Sequence, residues 1–248
     1  MKRHLITAAL GLAASMPTLA VDFVANSPAP SVISPGGETT LQTILTTLFP
    51  SSGLNVTTDQ SSAAFWSSTT PSAASSIPTL VAEFAGNAPT QSFGIWFGTD
   101  TDNIVSYNLL LGGAVASDAV GMTIVGNTLK VFGPNDECGV KFNCGTFTNA
   151  LINPNSFGFF FQPSPNSPNY YSLDQLNPGE RKDRFIGFQD GSTTNWLFAY
   201  EDGSDWDYND MAVKVESITA AVPEPETYAL MLAGLGAVGY MSRRRKKA

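Results

Sequence analysis

Asn195-Trp196-Leu197-Phe198-Ala199-Tyr200, then Glu201-Asp202-Gly203-Ser204-Asp205-Trp206-Asp207-Tyr208-Asn209-Asp210, then Met211-Ala212-Val213-Lys214-Val215-Glu216 is the stretch on which the fold turns. The first segment is aromatic at alternate positions and reads as a buried strand. The third alternates apolar and polar residues, the mark of a half-buried strand. The residues between them form a loop held at both ends. Five carboxylates and one carboxamide crowd into it: Glu201, Asp202, Asp205, Asp207, Asn209 and Asp210. Anions this close raise one another's pKa unless a cation or solvent relieves them. Oxygen-only donors suit a hard cation, Ca²⁺ first and Mg²⁺ second.

Asp205-x-Asp207-x-Asn209 matches the first half of an EF-hand loop, and Glu216 stands at the right count for its bidentate ligand. Asp210, however, takes the position where the sharp turn needs glycine. Six residues of strand would also carry Glu216 about 20 Å from Asp210. The pattern therefore predicts a β-loop cation site. Alternation would aim Asp205, Asp207 and Asn209 one way, and Trp206 and Tyr208 the other. Glu201 and Asp202 would close the site from the end of the preceding strand. Glu216 shares a face with Lys214 and falls outside it. A solvated acidic loop that binds nothing is the simpler alternative.

Working outward, residues 80–84, 93–98, 107–111, 122–125, 128–132, 157–162 and 184–189 also read as strands. Residues 211–218 read as one continuous strand. Gly126-Asn127 has the form of a two-residue hairpin turn. Ser92-Phe93-Gly94-Ile95-Trp96-Phe97 resembles Ser156-Phe157-Gly158-Phe159-Phe160-Phe161, as two strands under one packing demand would. About nine strands with Gly-, Pro- and Asn-rich connections predict an all-β fold. The expected architecture is a β-sandwich, with a jelly roll among its candidate topologies. One amphipathic helix is expected over 38–49, because Leu41, Ile44, Leu45 and Leu48 fall on one face and Pro50 and Gly53 follow. Phe65 and Trp66 are the candidate anchors of the small, polar stretch 61–77.

The 248 residues carry a formal net charge of −8, which hides an asymmetry. Residues 21–222 hold 19 acidic and 6 basic side chains, a net of −13, while basic residues cluster at both ends. Such a surface disfavours nucleic acid as a partner. The single histidine, His4, lies in a segment expected to be removed. Ser-His-Asp and Cys-His nucleophile systems and histidine-ligated zinc are thereby excluded from the mature chain. Cys138 and Cys144 are the only cysteines, and in an exported chain they read as one loop-closing disulfide.

The two ends read as export signals. Residues 1–20 form a signal peptide: Lys2-Arg3-His4, an apolar stretch, then Thr18-Leu19-Ala20 before the cut. Residues 21–220 make one β-domain. Residues 221–248 hold Pro223-Glu224-Pro225, an apolar helix over 228–241, and Arg243-Arg244-Arg245-Lys246-Lys247. That helix is about 20 Å long, against a hydrocarbon core of roughly 30 Å. The basic cluster places the C-terminus in the cytoplasm. The ordered triple resembles the PEP-CTERM sorting signal of Gram-negative bacteria. The resemblance implies an exosortase as processing partner beside signal peptidase, transient anchoring in the inner membrane, and delivery to the cell surface or extracellular matrix.

The remainder is similar to a bacterial domain of unknown function that accompanies such tails. The matching residues are Leu41-Gln42-Thr43-Ile44-Leu45, Thr58-Asp59-Gln60, Ser92-Phe93-Gly94, Asn155-Ser156-Phe157-Gly158-Phe159, Leu176-Asn177-Pro178-Gly179, and Glu201-Asp202 with Asp207-Tyr208-Asn209-Asp210. This similarity leaves metal binding and catalysis both open. Three functions therefore compete. One is a non-enzymatic β-domain stabilised by Ca²⁺. The second is a module that binds extracellular polysaccharide, stacking sugars on Trp196, Trp206 and Tyr208. The third is a carboxylate-pair hydrolase of such a polysaccharide.

Overall fold

The computed structural model describes residues 23, 26, 30–33, 37–69, 78–83, 90–180, 182–191, 193–203 and 205–221. The expected signal peptide and the tail helix 228–241, with Pro223, Glu224 and Pro225, lie outside them. No helix among the described residues is long and apolar enough to cross a membrane. In chain order the elements are α1 (Leu41–Leu48), β1 (Trp66–Ser68), β2 (Pro78–Glu83), β3 (Ser92–Gly98), β4 (Ile104–Leu110), β5 (Gly121–Val125), β6 (Thr128–Phe132), β7 (Gly145–Thr148), β8 (Gly158–Gln162), β9 (Tyr170–Tyr171), β10 (Phe185–Gln189), β11 (Trp196–Tyr200), β12 (Met211–Val215) and β13 (Ile218–Ala220). The protein is mostly β.

One four-stranded sheet runs β10-β11-β12-β2 and another β4-β3-β8-β9. β5-β6-β7 form a third sheet, and β1 and β13 form a two-stranded ribbon. All pairings between these strands are antiparallel. The two four-stranded sheets share one core. Phe93, Ile95 and Phe97 of β3 and Phe159 and Phe161 of β8 meet Trp196, Phe198 and Tyr200 of β11 and Met211, Val213 and Val215 of β12. Trp66 lies at its centre, with Phe159, Phe185, Trp196 and Phe198 rings 4.7–5.6 Å away.

The other face of β10–β12 is covered as well. Ile186, Phe188, Leu197, Ala199 and Ala212 pack against Leu41, Ile44, Leu45 and Phe49 on and just after α1. Burial on both faces explains why β11 reads as an unbroken apolar run. α1 has only 8 residues, too few to stand alone in water, so this contact holds it. Thr40 caps it, its hydroxyl accepting from the Thr43 N–H at 3.2 Å.

The two similar hexapeptides are neighbouring strands, with Ile95 opposite Phe159. Their glycines have a steric role. A side chain at Gly94 would strike the Phe160 ring, and one at Gly158 would strike Trp96. Each strand's glycine thus receives its partner's aromatic. The strand read over 211–218 is instead two strands. Ser217, at φ 63°, turns the chain between them, and β13 leaves the β12 sheet to join β1.

Candidate metal centre

Ladder bonds fix the ends of the acidic loop. Tyr200 pairs with Met211 across the β11–β12 ladder. The Glu201 N–H donates to the Arg184 carbonyl at 3.1 Å and so extends the β10–β11 pairing by one bond. Between these ends the chain is not extended. Trp206 and Tyr208 have φ of 61° and 55°, left-handed values that the alternation of a strand forbids. The expected split, with Asp205, Asp207 and Asn209 on one side and Trp206 and Tyr208 on the other, is therefore incorrect. Asp205 is exposed and Trp206 half-buried, while Asp207, Tyr208, Asn209 and Asp210 are all buried. The Tyr208 ring belongs to the core beneath α1, and its hydroxyl donates to the Asp183 carbonyl at 2.5 Å. The Trp206 carbonyl accepts from the Ile33 N–H at 2.8 Å.

The carboxylates form two groups that share Glu201. One oxygen each from Glu201, Asp205 and Asp207 lie within 4.8 Å of one another, and so do oxygens of Glu201, Asp202 and Asp210. Glu201 is 0% exposed and Asp207 1%. Glu201 Oε1 accepts from the Gly203 N–H at 2.7 Å, and Asp210 Oδ2 accepts from the Asp202 N–H at 2.6 Å. Asp207 Oδ1 accepts from the Asn209 N–H at 3.1 Å, but Asp207 Oδ2 is buried with no hydrogen-bond partner. None of the ion pairs among the described residues involves these five carboxylates.

Burial dominates their protonation. It raises the Glu201 carboxyl from the ordinary 4.5 to about 7, against the pull of the Gly203 and Tyr208 N–H groups; the Asp205 and Asp207 anions add to the rise. Burial likewise raises Asp210 from 3.8 to about 8, with Asp202, Glu201 and Asp207 contributing like charge. Asp207 is also raised by burial, then by Asp205 and Glu38. An anionic oxygen in this setting needs a cation or a proton.

Asn209 has contacts that the sequence did not foretell, and two further neighbours, Gln91 and Arg184, escaped the sequence reading. Asn209 Nδ2 donates to the Thr39 carbonyl at 3.1 Å and to Glu38 Oε2 at 3.5 Å, tying the loop to the start of α1. Gln91, 1% exposed, donates from Nε2 to Asp202 Oδ2 at 3.3 Å. Arg184 lies between the rings of Tyr170 and Trp206, with its guanidinium carbon 5.0 and 4.5 Å from their centres, and donates from Nη1 to the Gly203 carbonyl. Its place as one of six basic residues in 21–222 was the only signal available. Trp196 and Tyr208, 1% and 0% exposed, have no face to offer a sugar, so stacking on them is excluded. Glu216 bonds Lys214 at 2.7 Å and belongs to neither carboxylate group. Cys138 and Cys144 are disulfide-bonded.

No curated protein and no solved structure matches the chain. A family model described as the PEP-CTERM protein-sorting motif matches residues 221–246. By that motif, which sits where β13 ends, the chain is marked for export and for exosortase sorting to the cell surface or envelope.

Proposed function

We propose that this is a non-enzymatic surface or matrix protein whose β-sandwich is stabilised by Ca²⁺ at the β11–β12 loop. On this reading, signal peptidase removes residues 1–20. The tail helix 228–241 holds the chain in the inner membrane until the sorting enzyme cuts near Pro223-Glu224-Pro225. The ion takes oxygens from Glu201, Asp205 and Asp207. Asp202 and Asp210 hold the other side of Glu201, and backbone carbonyls or water complete the shell. Asn209 contributes by positioning the loop against α1.

Asp207 Oδ2 is the observation that carries this reading. A solvated loop would leave that oxygen in water, yet it is buried beside two other carboxylates and unpartnered. Leaving it so costs about 1–3 kcal/mol or more. A hard cation answers all of these oxygens at once, and the loop offers no soft donor. Catalysis fits less well. Glu201 and Asp210 have the raised pKa of a general acid, but at 0% and 7% exposure neither meets a polymeric substrate.

The test is a calcium titration followed by thermal unfolding. Extracellular calcium modules bind at about 10⁻⁴–10⁻³ M. Tenfold excess over Kd adds about 1.4 kcal/mol of stability if the unfolded chain does not bind. The melting temperature should rise with millimolar Ca²⁺ and fall with chelator. A melting temperature indifferent to both would leave the carboxylates protonated or solvated and end the proposal.

A further inference from the structure

Where β13 ends, the sorting motif begins. Ala221, its N–H bonded to the Phe65 carbonyl at 2.8 Å, is the last described residue, and Pro223 is the second residue after it. Pro225 is the fourth and Tyr228, the first residue of the apolar run, the seventh. Four residues reach at most roughly 14 Å and seven roughly 25 Å. With the apolar run in the bilayer, the headgroup layer takes roughly 6 Å of that span. Under roughly 20 Å then separates the ordered strand from the membrane surface, less than the roughly 30 Å width of even a small folded domain. An enzyme working at that surface meets a motif held against a folded body.

β13 is built to let go. It is 3 residues long and, among the described residues, forms a ladder with β1 alone. Ser217, with its left-handed φ, separates it from β12, which is paired on both sides. Beyond its register with Trp66, Ser67 and Ser68, β13 is tied by the Ser67–Thr219 hydroxyl contact at 3.0 Å, by the Trp196 Nε1–H donating to the Ile218 carbonyl at 3.2 Å, by the Ile218 N–H donating to the Thr194 carbonyl at 3.2 Å, and at its start by Thr69, which donates to the Ser217 carbonyl. Ile218 is its one fully buried side chain in the core, with Ala220 packed at the core's margin. β1 keeps a second partner when β13 goes, since Trp66 and Phe157 exchange backbone bonds at 2.8 and 3.0 Å. Release of residues 216–221 adds roughly 20 Å of reach. Short, singly paired elements are the ones that open first.

We propose that β13 is a release strand: the sorting enzyme engages Pro223-Glu224-Pro225 from a state in which Ile218–Ala220 has left β1. This rests on the anchored, exosortase-sorted reading above. The strand thereby couples sorting to the folded state of the domain, because the β1–β13 pairing sets how often the motif is offered.

The experiment uses the full chain in a host that exports and sorts it. Ser67→Cys with Thr219→Cys places a disulfide across the ribbon, where the two hydroxyls already touch. Peptide mapping verifies the bond, and an undiminished melting temperature verifies the fold. Pulse-chase with intact mass reads the fraction that has lost residues 243–247. The cross-linked protein should keep its tail, while Ser67→Cys alone is processed like wild type. A spacer of about ten Gly/Ser residues after Ala221 should restore processing to the cross-linked protein, because it moves the motif clear of the ribbon. Processing of the cross-linked protein at the wild-type rate would overturn the proposal, as would failure of the spacer to restore it. Replacing Pro223, Glu224 and Pro225 with alanine should abolish processing. Normal processing of that variant would remove the sorting reading itself, and this inference with it.

Discussion

β5 and β6 are joined by two residues, Gly126 and Asn127; β11 and β12 are joined by ten, Glu201 to Asp210. Both connections link antiparallel neighbours in unbroken register. The short one is exposed, with Gly126 at φ 57°. The long one buries Glu201, Asp207, Tyr208, Asn209 and Asp210. Chain reversal needs only two residues. The other eight are therefore not there to close a hairpin. They bring acidic oxygens out of water and anchor them with the Tyr208 ring beneath α1 and the Asn209 amide on Thr39. One turn depends on backbone conformation, the other on packing and charge.

That contrast can be broken most severely at Tyr208. Tyr208→Ala removes a fully buried ring and its bond to the Asp183 carbonyl, and should cost about 3–5 kcal/mol in denaturant unfolding. A cost below about 1 kcal/mol, that of an exposed turn, would show that the long loop is not packed as described.

Acidity separates the two turns next. Glu201 and Asp210 have folded pKa values of about 7 and about 8, raised from 4.5 and 3.8. The folded state therefore keeps protons that the unfolded chain releases. Their contribution is fully present below the unfolded values and is lost as pH rises through the folded ones. Without metal, stability should fall between about pH 4 and about pH 8, by an amount on the order of a few kcal/mol. Saturating Ca²⁺ should flatten that fall, since the ion replaces the protons. Chelated samples melted across this range check both halves, and a metal-free stability that rises from pH 5 to pH 8 would refute the buried-acid account.

Smaller effects sharpen the comparison. Asp207→Asn should remove most of the calcium response, about 1.4 kcal/mol at tenfold excess over Kd, while keeping the side chain's shape. Gly126→Ala forces a left-handed φ on a β-carbon and should cost about 1 kcal/mol, with no change in the calcium response. Glu216→Gln breaks only a surface contact with Lys214 and should stay within about 0.5 kcal/mol, the calcium response again unchanged. If Glu216→Gln abolished the calcium response and Asp207→Asn did not, the ligand assignment would be wrong.

Strands long enough to show a period were legible in the sequence. β3, β6, β8, β10 and β11 lie within a residue of their expected bounds, and the Gly126-Asn127 turn is where its residue types put it. β1, β7 and β9 were not visible. At 3, 4 and 2 residues they are too short for alternation to register, and long-range pairing defines them. The break at Ser217 was hidden too, because serine carries none of the signal that glycine would. At the loop, residue types pointed to a cation, but nothing in an acidic run says that it is buried. That follows from two left-handed residues and from Tyr208 reaching a core assembled from α1 and β10–β12, which no local pattern contains.

Trp206 gives the loop an optical signature of its own. The other tryptophans, Trp66, Trp96 and Trp196, are 0%, 0% and 1% exposed in hydrocarbon surroundings, whereas Trp206 is half-buried under the Arg184 guanidinium. An indole partly in water emits at longer wavelength than one in a dry core. The long-wavelength side of the emission band is therefore weighted towards Trp206. Arg184 also bonds the Gly203 carbonyl, so a shift of the loop changes the stack that sets this emission. The unlabelled protein thus reports the state of its acidic loop by colour, while the three buried tryptophans report the fold.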